Sequence, residues 1–347
     1  MQLFRYFNRP KPENEQIQIE KFADLCGLDL SKITISSKTA KELVITNFDT
    51  QTKWPPVDKL PTHLNPEKFL EESKNPGLGI KELHEQGITG QGVIVATIDQ
   101  KLDTNHPEYE QTIKSYDEYG KTKREPISMH GPAVASLLVG QNCGVAPGAK
   151  LVYKAVPSGS RNFLPWAQAL KDIIEKNKNL KPENKVKVVS CSIGYMTENP
   201  EPGLNEWIDA LEKAKEEGIF VVDVEGDQVD IPFSGGGSPK NKNDFGSYLS
   251  WLGNNEGNDK LIVPSDYRTM ASSWNKKGQY MYNGRGGLSW SVPYLAGLFA
   301  LILQVNPNIK REEIAEITNE SAVVNKKGLK IINPKGIIDL VKERIKN

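Results

Sequence analysis

Cysteine is scarce in this chain: Cys26, Cys143 and Cys191 are the only three among 347 residues. They are odd in number and far apart, with no CxxC pair and no Cys/His cluster. That excludes a disulfide framework and offers no zinc-binding spacing. An excess of charge of either sign is missing too. Lys plus Arg and Asp plus Glu both total 44, so the formal net charge is zero. With no basic excess and no long block of like charge, nucleic acid is excluded as the main partner. No apolar run looks long enough to cross a bilayer, which takes about 20 residues; the longest lies near 294–305. The opening stretch "MQLFRYFNRPKPENEQ" lacks the apolar core of a secretion signal, which runs to about 7–15 residues. These absences lead us to expect a soluble, cytoplasmic protein with no membrane partner. Nucleotide-binding loops are absent as well, since neither GxGxxG nor GxxxxGK[ST] follows a strand-like run. "GGGS" at 235–238 reads instead as a flexible loop.

What is present suits a globular α/β protein. Apolar residues make up 37% and charged residues 25%, in a length that fits one large domain or two smaller ones. Residues 1–75 stand apart. They are rich in Lys, Glu, Asn and Pro, carry two short strand-like pieces ("KITISS" and "ELVIT"), and end near the proline-dense "TKWPPVDKLPTHLNP". This stretch reads as an N-terminal extension, either an arm packed on the main domain or an inhibitory pro-segment. From about residue 76 to 347 the pattern is that of a single domain. β-Branched apolar runs occur at "GVIVATID" (92–99), "AKLVYKAV" (149–156), "VKVVSCSIG" (186–194), "GIFVVDVEG" (218–226) and "LIVPS" (261–265). Helical patterns lie between them at "WAQALKDIIEKN" (166–177) and "LNEWIDALEKAKEEG" (204–218), the latter closed by Gly218. Apolar strands alternating with helices predict a mostly parallel central sheet with helices on both faces. In such sheets, sites gather at the carboxyl ends of the strands.

Three residues at strand ends or helix starts draw notice. Asp99 closes the first apolar run, His130 opens "HGPAVASLLVG", and Ser289 follows two glycines in "GGLSWSVPYLAG". Taken singly, each has an ordinary structural role: a turn aspartate, a histidine at a helix start, a helix N-cap. Pro132 suits the first helical turn, and Pro293 falls early in the helix after Ser289. Of four histidines, His63, His84, His106 and His130, only the last is flanked by small residues that let another group approach. Taken together, an acid, a base and a hydroxyl are the parts of an activated serine nucleophile.

The flanking motifs carry a resemblance that covers roughly residues 80–320. "GITGQGVIVATID", "HGPAVASLLVG", "CGVAPGAKLVYKAV" and "GLSWSVPYLAGLFALILQVNP" resemble, in order, the aspartate motif, the histidine motif, the strand that follows it and the serine motif of subtilisin-like serine proteases. The order Asp, His, Ser is that of subtilisin. The resemblance implies a subtilisin-like fold and a cytoplasmic, bacterial-type serine endopeptidase acting on peptides or proteins. Asp99 would orient, His130 would act as general base and Ser289 would attack. "SCSIGY" resembles the family's substrate-binding strand, which implies that Ser192, Ile193 and Gly194 bind an extended peptide by strand addition. Val224, Glu225 and Gly226 would wall the pocket for the residue before the cut. No cofactor is implied for the chemistry. Calcium often stabilises the family, but no acidic loop here assigns ligands.

The chain departs from the pattern in three places. Pro132 and Ala133 replace Thr and His in the histidine motif, and Trp290 and Ser291 replace Met and Ala after the serine. In "VVDVEGDQ", Asp227 stands where the family places the Asn that donates to the oxyanion. An ionised carboxylate only accepts. Loss of that donor costs about 10²–10³ in rate, a magnitude measured in subtilisin itself rather than inferred for this chain. Four alternatives follow from the sequence. Burial keeps Asp227 protonated; the Ser289 backbone N–H suffices alone; the protein is a non-cleaving, peptide-binding relative; or a one-residue slip brings Gln228 to the position.

Overall fold

The computed structural model describes residues 23–36, 41–62, 64–158, 161–195, 201–250, 260–272 and 278–346. Thirteen strands are described: β1 Asn47–Asp49, β2 Ile94–Asp99, β3 Ile113–Glu118, β4 Lys150–Ala155, β5 Val186–Ser190, β6 Phe220–Val222, β7 Phe233–Gly237, β8 Leu249–Ser250, β9 Leu261–Pro264, β10 Arg268–Ser272, β11 Gln279–Asn283, β12 Val323–Val324 and β13 Lys330–Ile331. Five of them form the central sheet in the order β3-β4-β2-β5-β6, and every pairing in it is parallel.

Strand β2 shows why the sheet is covered on both faces. All six of its residues are buried, and alternate side chains enter different cores. Val95 joins the cluster built on the helices His130–Val139 and Leu288–Val305. Ile94, Ala96 and Ile98 join the cluster built on Leu164–Lys178 and Leu204–Glu216. The period of two along a strand splits a continuous apolar run between two layers. Trp207, fully buried, anchors the second layer against Trp166 and Phe163. As the glycine after "EKAKEE" predicts, Gly218 takes the left-handed conformation (φ 71°) just past the helix end.

The remaining strands depart from the sequence reading in instructive ways. "GGGS" is not a free loop. Phe233–Gly237 is a fully buried strand, parallel to β9 and antiparallel to β8. A Cβ on Gly236 would run into the Leu249 carbonyl and the Ile262 side chain, so these glycines serve close strand packing, not flexibility. "ELVIT" supplies a 3-10 turn at Leu43–Ile45, and the strand begins only after it at Asn47. "SCSIG" leaves the sheet at Ser190. The apolar run near 294–305 belongs to a longer helix of 18 residues, Leu288–Val305, which is long and apolar enough to cross a membrane. In the fold 78% of it is buried, as the central helix of the core.

The described part of the extension, from Ala23 onward, docks on the β10–β11 hairpin. Strand β1 pairs with β11 to complete a three-stranded antiparallel sheet. Leu43, Phe48 and Leu70 pack with Tyr267 and Tyr282, and the Tyr282 hydroxyl donates to the Val44 carbonyl at 2.6 Å. The Phe48 and Tyr282 ring centroids lie 5.0 Å apart. Burying two such rings stabilises by several kcal/mol, about 2 or more for each. Deleting residues 1–75 is therefore expected to lower the unfolding midpoint by several degrees and to lower activity. A deletion that raises activity at an unchanged midpoint would mark the segment as inhibitory instead.

Candidate active site

The carboxyl edge of the central sheet gathers the residues of interest. Asp99 is the last residue of β2 and only 1% exposed. Its Oδ1 accepts from the Gln100 amide at 2.7 Å and lies 2.7 Å from His130 Nδ1. A carboxylate accepts, so Nδ1 carries the proton and Nε2 is left with a free lone pair. Burial opposes charge on the ring, but the Asp99 charge and hydrogen bond outweigh it and hold the His130 pKa above its ordinary value.

Local sequence explains how the histidine reaches the strand end. His130 opens the helix His130–Val139, and the Ser128 hydroxyl accepts from the His130 and Gly131 amides at 3.1 and 3.3 Å. Ser128 thus satisfies the orphan donors of the first turn. Gly131 has no alternative: a Cβ there would strike the Gln100 carbonyl, the Lys101 carbonyl and the Tyr153 hydroxyl. The glycine is what lets the helix start touch the chain just past Asp99.

Ser289 is the second residue of the helix Leu288–Val305, half-buried. Three contacts fix the turn before and after it. Asp266 Oδ1 accepts from the Gly286 amide at 2.8 Å and from the Ser265 hydroxyl at 2.9 Å. Burial pushes the Asp266 carboxyl up to about 6 against the pull of those bonds. Ser291 Oγ donates to the Val263 carbonyl at 3.0 Å, tying the helix to β9. Pro293 lies inside the helix, beyond the first turn where its missing N–H would cost least. It removes the donor that would otherwise serve the Ser289 carbonyl four residues earlier. Ser192 Oγ supplies the replacement, donating to that carbonyl at 2.9 Å. Neither the Asp266 contact nor the Ser192–Ser289 bond could be read from local sequence, because each joins segments that only the fold brings together; the Ser128 cap is local, two residues before the histidine, and was missed.

Asp99 and His130 therefore meet directly, and Ser289 is brought to them through its neighbour. The Trp290 ring lies 5.2 Å from the His130 ring, centroid to centroid. Among the described residues no hydrogen bond joins Ser289 Oγ to His130; such contacts commonly tighten only when substrate binds.

Ser192, Ile193 and Gly194 follow β5, and Val224, Glu225 and Gly226 follow β6. The two loops touch. The Val224 amide donates to the Ile193 carbonyl at 3.4 Å, and a Cβ on Gly194 would lie 2.6 Å from Val224 Cγ2 and 2.9 Å from Glu225 Oε1. Gly226 adopts φ 76°, which favours glycine. Asp227 opens the 3-10 turn Asp227–Val229 and is exposed. The alternative that rested on burial of Asp227 finds no such burial in the fold. The buried acid is Asp223, four residues earlier and missed in the sequence. Gln228 is half-buried, and its carbonyl accepts from Arg311. Among the described residues no group of three His, Cys, Asp or Glu side chains is placed to hold a metal ion.

Comparison with known proteins bears on the same region. Residues 90–244 match the model of the Subtilase family, peptidase S8. Over those residues the chain is similar to the subtilase family. It is 26% identical over 256 residues to the "Major intracellular serine protease" of Bacillus subtilis (strain 168), covering 68% of this chain and 76% of that one. It is 27% identical over 245 residues to "Subtilisin Savinase" of Lederbergia lenta, covering 67% and 83%. The fold resembles that of the Prenylagaramide maturation protease PagA (TM-score 0.53, 18% identity, 76% of this chain and 98% of that one). It also resembles a chain of the subtilase cytotoxin SubAB (TM-score 0.58, 17% identity, 78% and 96%). Subtilase relatives are serine peptidases that act on peptides or proteins.

The serine turn yields a paired prediction. A Cβ at Gly286 would strike the Ser265 carbonyl and the Trp290 ring, whereas nothing lies within 4 Å of one at Gly287, whose φ is −126°. Gly286→Ala is expected to cost about 1–3 kcal/mol in urea unfolding, while Gly287→Ala leaves stability unchanged. Ser192→Ala strands the Ser289 carbonyl and is expected to cost a similar about 1–3 kcal/mol. Equal stability of all three variants would contradict the account of this turn.

Proposed function

We propose that this subtilase is a serine endopeptidase that cleaves peptide bonds through an acyl-enzyme. The observation that carries the reading is the 2.7 Å contact between buried Asp99 and His130 Nδ1, which leaves Nε2 as an unprotonated base beside the Ser289 turn. Ser289 Oγ attacks the scissile carbonyl as His130 Nε2 takes its proton. Asp99 fixes the tautomer and stabilises the imidazolium. The negative oxygen that develops is held by first-turn amides of Leu288–Val305, the Ser289 N–H among them. His130 then protonates the departing amine, and water hydrolyses the ester by the same relay. The chemistry needs no cofactor. Substrate lies extended along Ser192, Ile193 and Gly194, with the side chain before the cut facing Val224, Glu225 and Gly226. Work in the cytoplasm fits three free cysteines and the relative named as an intracellular protease.

A second reading, a weakened or non-cleaving peptide-binding subtilase, draws on Asp227. Its exposed carboxylate only accepts at the position where the family uses a donor. A peptide library separates the two. Wild type is expected to cleave and Ser289→Ala to be inactive. Asp227→Asn, which restores a donor, is expected to raise kcat by up to about 10²-fold. No cleavage by either wild type or Asp227→Asn would favour the binding reading.

The raised pKa of His130 sets the acid limb of the rate profile. The base works only when neutral, and the folded site favours the charged ring, so activity should fall on acidification from a midpoint above 6.5. Asp99→Asn removes the charge that raises it. The acid limb should then move to lower pH while kcat falls about 10⁴-fold. A midpoint unmoved by that substitution would contradict the assignment of His130 as the base.

A further inference from the structure

The pocket wall carries an uncompensated charge. Asp223 follows β6 directly and is completely buried. One of its oxygens, Oδ1, accepts from the Glu225 and Gly226 amides at 3.1 and 3.0 Å. The other, Oδ2, is buried with no hydrogen-bond partner. Its field reaches Glu225, Asp227, Tyr195 and Cys191. Among the described residues, none of the three acids makes an ion pair. Glu225 Oε1 stands directly over Gly194, where a Cβ would lie 2.9 Å from it. Ser192, two residues before Gly194, holds the Ser289 carbonyl. Glu225 therefore stands across from the loop that holds the Ser289 carbonyl, with the charges of Asp223 and Asp227 close enough to act on one another in the same turn.

A turn that needed only a cap for two amides would be served equally by Asn or Ser, without the cost of burying a carboxyl. Burial, with Glu225 and Asp227 adding to it, pushes Asp223 up to about 6, so the group is still mostly ionised at pH 7 and above. Three acids in one wall repel one another until a positive charge arrives. The geometry does not suit a metal ion. A long, flexible side chain ending in a cation can approach Glu225 and Asp227 from solvent, with Asp223 beneath them.

We propose that Asp223, Glu225 and Asp227, set across from Gly194, form a recognition site for a cationic side chain, so that the substrates are peptides carrying Lys or Arg before the cut. The location relative to the cut rests on the proposed peptidase reading; the affinity for a cation does not.

Two measurements test the site, one of them independent of catalysis. In the first, p-aminobenzamidine, a small aromatic cation, is titrated into full-length wild type, Asp223→Asn, Glu225→Gln and the double variant at pH 7.5. Asp223→Asn keeps the oxygen that caps the turn and removes only the charge, and Glu225 is exposed, so both variants should fold. Saturable binding to wild type that weakens at least about tenfold in the double variant, and weakens again in high salt, is the expected result. No saturable binding, or equal binding by all four proteins, overturns the proposal. The second compares kcat/KM for peptides that differ only in Lys or norleucine before the cut. Wild type should prefer Lys by at least about tenfold, and either substitution should lower that ratio. Cleavage of both peptides alike overturns the inference while leaving the peptidase reading intact. Cation binding with no cleavage of any peptide does the reverse.

Discussion

The hydrogen bond between Asp99 and His130 is the constraint on which the site depends. A carboxylate at 1% exposure is costly unless something pairs with it. Here a strand buried on both faces delivers it to the sheet edge, and a helix start must come close enough to meet it. That demand propagates outward. It requires a residue without a side chain at 131, a hydroxyl at 128 to satisfy the helix amides, and small residues through Ala133 and Ala135 where the helix enters the core. The histidine is held by the same contacts that fold the domain.

The serine helix solves a different problem. Its residues from Trp290 to Leu303 are all buried, yet its first two, Leu288 and Ser289, stay half-exposed. Asp266 holds the amide before it, and Ser291 anchors it to β9. Pro293 frees the Ser289 carbonyl for a bond from Ser192 in the loop after β5. The Ser289 turn and the loop after β5 are thereby joined by one hydrogen bond, so a shift in either is felt by the other.

The parallel sheet was legible because burial on two faces writes continuous apolar runs into the sequence, and the ends of those runs fell close to Asp99 and the loops after β5 and β6. The three catalytic candidates were legible by motif. What stayed hidden depended on contacts between distant segments. Asp266 sits twenty positions from the amide it holds, and Ser192 nearly a hundred from the carbonyl it serves. Gly235–Gly237 read as a loop because glycine is a common loop former, whereas the close approach of β8 and β9 makes it a strand requirement. Burial of Asp227 was one of four alternatives the sequence left open; the chain takes the left-handed conformation at Gly226 and Asp227 lies exposed just after it.

The central claim is that Asp99 and His130 activate Ser289. Reaction of the full-length protein with a fluorophosphonate, followed by intact mass and peptide mapping, tests it most directly. The account predicts a single adduct on Ser289 in the wild type, and none in His130→Ala protein that retains the wild-type unfolding transition. An unmodified Ser289 in folded wild type, or equal modification without His130, would contradict it.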